Sequence, residues 1–299
     1  MTVYGTGADG NVVISTDTTL TGVKNYNNLV VNTGVTLDTA GYTVHVKNQL
    51  YIYATGVITD SSTNEGTGGA GGVWVGDGNN GNNGSNGTSG GGGGGPSGGG
   101  GGRVVVYAHG IAYGGSGNAG GDGGDAGGIV IIKAKQFINY GTVHANGEDG
   151  QNGGAIQTLA YYISGGGYDY AGGGGGAGGG GGGGQGGTVD ITYETRVMGT
   201  VTANGGAKGL AGTQSNGHIV YSGDAANEVT EPGTAGTNGS GDSGGGDGGT
   251  AGNGGDYEYD IGASGNGGTG TDGQDGAAGT VNWTQTYDTY SGGMLGCEF

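Results

Sequence analysis

Tyrosine is the side chain of this sequence best suited to recognition chemistry, with 18 in 299 residues against 2 phenylalanines and 2 tryptophans. Three stretches collect it: AIQTLAYYISGGGYDYAG (155–172), LAGTQSNGHIVYSGDAANEVTEPG (210–233) and DYEYDIGASG (256–265). They carry Tyr161, Tyr162, Tyr168, Tyr170, Tyr221, Tyr257 and Tyr259. Tyrosine beside Ser, Gly and Asn is the composition of binding loops, because the ring gives rigid amphipathic contact area at small entropic cost. Asp169, Glu258 and Asp260 flank the rings. Carboxylates beside aromatic faces suit sugar hydroxyls and basic protein loops equally. The competing reading has these rings covering thin places in the scaffold or packing between chains.

Catalytic chemistry is harder to assemble. A polysaccharide hydrolase or lyase needs convergent carboxylates or a basic residue poised as a proton acceptor. Here Arg103 and Arg196 fall at or within strand-like runs, and most acidic residues punctuate glycine turns. His45, His109, His144 and His218 are scattered, and no Ser-His-Asp or phosphate-loop context accompanies them. The repeat GGxGxDxUx of calcium β-rolls is approximated by 120–128 and 267–275, yet its aliphatic position holds Gly127 in one and Gln274 in the other. The lone Cys297 has no bridging partner and no zinc-type spacing. The expectation is a non-enzymatic chain without cofactor or metal, its aspartates chosen because they tolerate turns.

What positions the tyrosines is glycine, 90 residues of it. It recurs at every third residue from Gly78 to Gly93 and from Gly267 to Gly279, with shorter runs at 114–123, 147–153 and 233–239. Three matches neither the helical period of 3.6 nor the strand period of two, but it is the period of the extended left-handed helix. Such a helix has no internal hydrogen bonds, so its buried N–H and C=O groups need partners on neighbouring chain. Gly78 to Gly93 would span about 50 Å at ~3.1 Å per residue. Collagen is excluded, since 2 prolines fall far short of its imino-acid content.

Between the glycine tracts lie short strand-like runs. Residues 1–60 alternate, with Tyr42, Val44 and Val46 on one face and Thr43, His45 and Lys47 on the other. Further runs occupy 103–113, 129–147, 188–205 and 280–290. The second and third of these align, each opening after Gly-Gly and closing Gly-Thr-Val-x-Ala-Asn-Gly with one residue deleted between. Each unit is expected to lay a β rung on the one before, with its glycine tract as a lobe beside the stack. The fold expected is all-β: short β-helix-like or sandwich rungs combined with packed polyglycine II helices, and essentially no α-helix. Residues 1–60 form a β-rich attachment module and 61–299 a glycine-rich repeat domain. With 31% hydrophobic residues a large apolar core is not expected.

A net charge of −18 with 7 Lys+Arg argues against nucleic acid and anionic membrane surfaces as partners. The opening MTVYGTGADGNVV has no Lys or Arg before Lys24 and no apolar run of signal-peptide length, and no stretch reads as a membrane-spanning helix. An extracellular role would require another exit, such as a virus particle released by lysis.

With these features in place, ADGNVVISTDTTL followed by KNYNNLVVNTGVTLDTAGYTVHVK resembles the β-rich start of glycine-rich bacteriophage tail and fibre proteins. The later tracts, interleaved with aromatic loops, resemble the distal adhesins of long tail fibres, in which packed polyglycine helices carry loops that touch outer-membrane proteins or surface sugars. This chain departs from that pattern in its longer β rungs and its different N-terminal module. The resemblance implies a virion receptor-binding protein on the tail or a fibre, extracellular after host lysis. It implies Tyr161, Tyr162, Tyr168, Asp169, Tyr170, Tyr221, Tyr257, Glu258 and Tyr259 as receptor contacts. Partners would be a host surface protein or polysaccharide and other virion proteins through 1–60, the chain being a homo-oligomer or mounted on an oligomeric fibre. The alternatives are a structural tail, fibre or head-decoration protein and a β-helix polysaccharide depolymerase.

Overall fold

The computed structural model describes residues 3–60, 83–88, 104–106, 110–113, 119–154, 161–163, 176–212, 240 and 269–286. Short alternating runs rich in Val, Ile, Thr and Tyr, broken by Gly and Asn, form fourteen strands there, with no helix among the described residues. In chain order they are β1 Asn11–Ile14, β2 Thr18–Thr19, β3 Lys24–Val31, β4 Thr36–Asp38, β5 Val44–Ile52, β6 Val57–Thr59, β7 Val104–Val106 and β8 Gly110–Tyr113. Next come β9 Ile129–Asn139, β10 Thr142–His144, β11 Tyr161–Ile163, β12 Thr188–Val197, β13 Thr200–Thr202 and β14 Thr280–Gln285. The protein is all-β.

Apart from β7, β8 and β11, successive strands alternate between two parallel sheets, ordered β1-β3-β5-β9-β12-β14 and β2-β4-β6-β10-β13. The chain therefore coils, laying one strand on each sheet per circuit. The two sequence units at 129–147 and 188–205 stack in register: Ile129 sits opposite Thr188 and Ile138 opposite Val197, then Thr142 opposite Thr200. The deleted residue falls at the corner between the sheets, where Tyr140-Gly141 in one circuit faces Gly199 alone in the next. Both sheets run across residue 60, because β5 pairs with β9 and β6 with β10. The run 103–113 behaves differently from a single rung. It forms two strands, β7 and β8, which join β11 in a separate antiparallel sheet.

An apolar core does exist, and among the described residues it lies in the coil. Leu29, Val31, Leu37, Val44, Val46, Leu50, Ile52, Ile58, Val130, Ile132, Phe137, Val143 and Val189 are fully enclosed between the sheets. Low hydrophobic content suffices because the apolar residues are concentrated in the rungs, where each inward position stacks on its counterpart one strand away. Buried polar groups are satisfied. The Asn139 side chain accepts from Gly141 N at 2.9 Å and donates to Thr200 O at 3.1 Å. Asp60 Oδ2 accepts from Ile129 N at 2.8 Å. His144, on β10, lies 3.4 Å from the Thr59 hydroxyl, and burial holds its imidazole below the usual histidine range.

Five glycine-rich segments extend from the strand ends: 119–128, 145–154, 176–187, 203–212 and 269–279. They are knitted side by side through their backbones, one bond every third residue. Gly121, Gly124 and Gly127 donate to the carbonyls of Gly179, Gly182 and Gln185 at 2.7–3.0 Å. Gly180, Gly183 and Gly186 donate onward to Thr271, Gln274 and Ala277. In both sets the numbers rise together, so these neighbours are parallel. Gly181, Gly184 and Gly187 donate to Gln151, Glu148 and Ala145, and Gly206, Gly209 and Gly212 to Gly184, Gly181 and Gly178. Those numbers run oppositely, so these neighbours are antiparallel.

The segment 176–187 bonds to all four others, and Gly176 through Gly184 are buried. This explains why, of the five, it is the one that is almost uninterrupted glycine. A Cβ at Gly184 would lie 1.9 Å from Asp125 O, and one at Gly183 2.1 Å from Gly206 O. Two of every three positions are closed to side chains, and the third holds Gln185 where the segment reaches partial exposure. The outer segments keep one obligate glycine per triplet.

Two outcomes are expected. Gly184→Ala should destabilise the protein by about 3 kcal/mol or more, since rigid backbone fills the space, while Gln185→Ala should cost under ~1 kcal/mol; urea denaturation of both checks this. His144 is depressed in the folded state, so the unfolded chain binds the extra proton. Its contribution is complete above its ordinary pKa of 6.5 and lost as pH falls through the folded value. Melting temperature should drop as pH is lowered from 7 to 5, and less steeply in His144→Asn.

Candidate functional site

The polarity of the segments is set by the coil. Segments 119–128, 176–187 and 269–279 each lead into a strand of the long sheet, β9, β12 and β14, whereas 145–154 and 203–212 leave strands of the short one, β10 and β13. Three run toward the coil and two away from it. Their remote ends therefore coincide. Gly154 N bonds Ala119 O at 2.7 Å, Gly153 N bonds Leu210 O at 2.8 Å, Gly212 N bonds Gly178 O at 2.9 Å and Gly180 N bonds Thr271 O at 3.1 Å.

In sequence, the tyrosine-bearing stretches adjoin this end. The stretch 155–172 comes directly after Gly154, 210–233 runs out past Gly212, and 256–265 precedes the segment that begins at 269. Tyr161 and Tyr162 belong to β11, whose backbone pairs antiparallel with β8, Tyr161 opposite Tyr113 and Tyr162 opposite Ala112. A strand here departs from the sequence expectation of a loop. Tyr168, Asp169, Tyr170, Tyr221, Tyr257, Glu258, Tyr259 and Asp260 lie outside the described residues, as do His109 and His218.

The Asn and Asp residues of the outer segments do more than tolerate turns. Asn146 Oδ1 accepts from Asn204 N at 2.8 Å while the next residue, Gly147, donates to Asn204 O at 2.9 Å. The same paired grip holds Ala207 between Asp149 and Gly150, at 2.7 and 2.8 Å, and Leu210 between Asn152 and Gly153, both at 2.8 Å. It recurs away from these segments, where Asn86 and Gly87 hold Ser240 at 2.9 and 3.0 Å. Each Asx-Gly pair thus satisfies both the N–H and the C=O of one residue across the gap. The sequence signal was the spacing of 146, 149 and 152, each followed by glycine, but spacing names no partner.

Across the opposite seam, Asp272 Oδ1 accepts from Ala211 N at 3.0 Å and Asp275 Oδ1 from Lys208 N at 2.9 Å. The Ala211 N–H, followed by Lys208, holds the Asp272 carboxyl below its ordinary range. Lys208 Nζ reaches Asp272 Oδ2 at 3.0 Å. Both aspartates belong to the calcium-like motif at 267–275, and these bonds give their carboxylates a structural task. In the other such motif, the carbonyls of Asp122 and Asp125 accept from Gln151 and Glu148. Among the described residues no three His, Cys, Asp or Glu side chains gather as metal ligands.

The outer face of the long sheet carries features the sequence reading missed. Val13, Val30, Tyr51, Ile138 and Val197 stand opposite one another across five strands, an outward apolar column. Tyr53 and Tyr140 add rings beside it, with centroids 4.6 and 5.6 Å from Tyr51, and both are exposed. A neighbouring column is Asn11, Asn28, Gln49, Gln136 and Thr195, in which Asn28 Nδ2 donates to Asn11 Oδ1 at 2.8 Å and Gln49 Nε2 to Gln136 Oε1 at 3.3 Å. Only strand register makes these columns visible.

The two ends of the coil differ. At β14, Trp283 packs edge-on against Phe137 and Tyr193, and the Arg196 guanidinium lies 4.4 Å from the Trp283 ring centre and 4.7 Å from that of Tyr193. At β1 and β2 a cleft of about 390 Å³ opens among Val12, Ile14, Thr18, Leu20, Lys24 and Tyr26. The strip preceding β1 crosses the outer face, where Asp9 Oδ2 accepts from Asn25 N at 2.5 Å and Tyr4 meets the Thr286 hydroxyl.

No protein-family model matches the chain, and neither does any curated protein or solved structure. The site is therefore defined by its own geometry. Asn152→Ala should cost roughly 1 kcal/mol by freeing the Leu210 N–H, while Asn152→Asp, which keeps the acceptor, should stay near wild type; amide hydrogen exchange at Leu210 reports both.

Proposed function

We propose that this chain is a receptor-binding protein of a virus particle, in which a glycine lattice holds tyrosine-bearing stretches toward a host surface protein or polysaccharide. The observation that supports this reading is the coincidence of segment ends: Gly154, Gly212 and Thr271 lie at one extremity, and the three stretches adjoin these segments in sequence. Binding segments carried on a rigid scaffold are a common arrangement, and rings delivered together offer one contact surface. We also read the five segments as polyglycine II helices, because their lateral bonds repeat every third residue. Residues 1–60, at the other extremity, would mount the chain on its neighbours in the tail or fibre.

The outward apolar column on the long sheet favours a second reading. In that case the chain is a structural tail, fibre or decoration protein, with Tyr51, Tyr53 and Tyr140 lying against a neighbouring subunit. One experiment separates the two. Residues 155–172 and 256–265 are replaced by glycine-serine sequence of equal length, and particle assembly and adsorption to host cells are measured. The receptor reading expects intact particles whose adsorption falls at least about tenfold, as befits loss of aromatic hot spots. Unchanged adsorption by intact particles would count against it and leave the structural reading, whose contact surface at Tyr51, Tyr53 and Tyr140 the replacement does not touch.

A further inference from the structure

Asparagine followed by glycine is the dipeptide most prone to spontaneous deamidation, because glycine places no side chain in the way. The glycine nitrogen loses its proton and attacks the asparagine Cγ. A bond forms between them, the bond from Cγ to Nδ2 breaks, and ammonia leaves with the proton. Water then opens the cyclic imide to aspartate or to isoaspartate, which carries an extra main-chain methylene.

The attacking nitrogen and the amide oxygen are the two atoms that the Asx-Gly grip immobilises. At Asn146 the nitrogen of Gly147 donates to Asn204 O at 2.9 Å, and the side-chain oxygen accepts from Asn204 N at 2.8 Å. At Asn152 the partner is Leu210, with both distances 2.8 Å. At Asn86 it is Ser240, at 3.0 and 2.9 Å. Each grip aims the glycine N–H across the gap at its partner residue. Both bonds must break before the nitrogen can turn toward Cγ.

Asp149 occupies the same kind of position as the product of that reaction. It holds Ala207 with the same two bonds, at 2.7 and 2.8 Å. The grip uses only an Oδ1 acceptor, so aspartate formed from asparagine fits in place. Isoaspartate does not, because one added backbone atom breaks the three-residue register on which every later bond of the segment depends.

We propose that Asn86, Asn146 and Asn152 are latent deamidation sites gated by the Asx-Gly grip, silent while the grip is closed and reactive wherever it opens, with aspartate the tolerated product and isoaspartate the disruptive one. This inference does not rest on the receptor reading.

The test is peptide mapping by mass spectrometry after incubation of the full chain at pH 8 and 37 °C, folded and in denaturing urea. Deamidation at the three sites should be slower in the folded chain by about tenfold or more, as expected when reaction requires local opening of paired bonds. Equal rates would overturn the proposal. Leu210→Pro then removes the N–H that Asn152 accepts from, its ring taking the place of that hydrogen, while keeping the Leu210 carbonyl. Asn152 should deamidate several times faster in this variant and Asn146 at its former rate. If both accelerate alike, or neither does, the local gate is refuted. An Asn146→Asp, Asn152→Asp double variant should keep the wild-type melting temperature; a marked drop would refute the tolerance of aspartate.

Discussion

The molecule depends on how closely two peptide backbones can approach when neither carries a Cβ between them. A glycine N–H reaching a carbonyl on the next segment at 2.7–3.1 Å is an ordinary hydrogen bond. What is uncommon is that the segment 176–187 makes such contacts with four neighbours at once. Each bond contributes little net free energy, and ordering glycine is entropically costly. The lattice therefore stands only because many such bonds form together and because it grows from strands that are already fixed.

That attachment gives the coil and the lattice one continuous register. Thr188 N bonds Gly128 O and Thr280 N bonds Gly187 O, so the pairing of β9, β12 and β14 passes without a break into the segments that precede them. Ala145 N bonds Thr202 O, and Gly147 N then bonds Asn204 O, extending the pairing of β10 with β13 in the same way. The apolar core inside the coil fixes the spacing and alignment of the strands. The lattice inherits both, and with them the alternation of directions that brings its free ends together.

Much of this was legible in the sequence. The three-residue glycine period announced lateral backbone bonding, and the shared ending Gly-Thr-Val-x-Ala-Asn-Gly announced rungs in register. The β-branched runs gave the all-β class. What could not be read was whatever depends on partner identity. Asn152 and Leu210 are far apart in sequence and nothing local links them, and the column from Val13 to Val197 exists only after five strands are aligned. The stacking of Leu29, Val31, Leu50, Ile52, Ile132 and Val189 in the rungs hid an apolar core behind a low average. The run 103–113 shows the converse limit: it reads as strand, but a β-branched run cannot tell a parallel rung from an antiparallel pair. Tyr168, Tyr170, Tyr221, Tyr257 and Tyr259 rest on composition, since they fall outside the described residues.

The uneven distribution of nonpolar side chains also bears on how the protein responds to temperature. Unfolding the coil exposes hydrocarbon, which raises heat capacity, whereas unfolding the glycine segments exposes mainly amide groups, which lowers it. The two halves partly cancel, so the heat-capacity increment per residue is smaller than that of a conventional globular domain. A small increment makes a broad, shallow stability curve. Such a molecule loses little of its hold in the cold, where proteins held chiefly by hydrocarbon burial weaken.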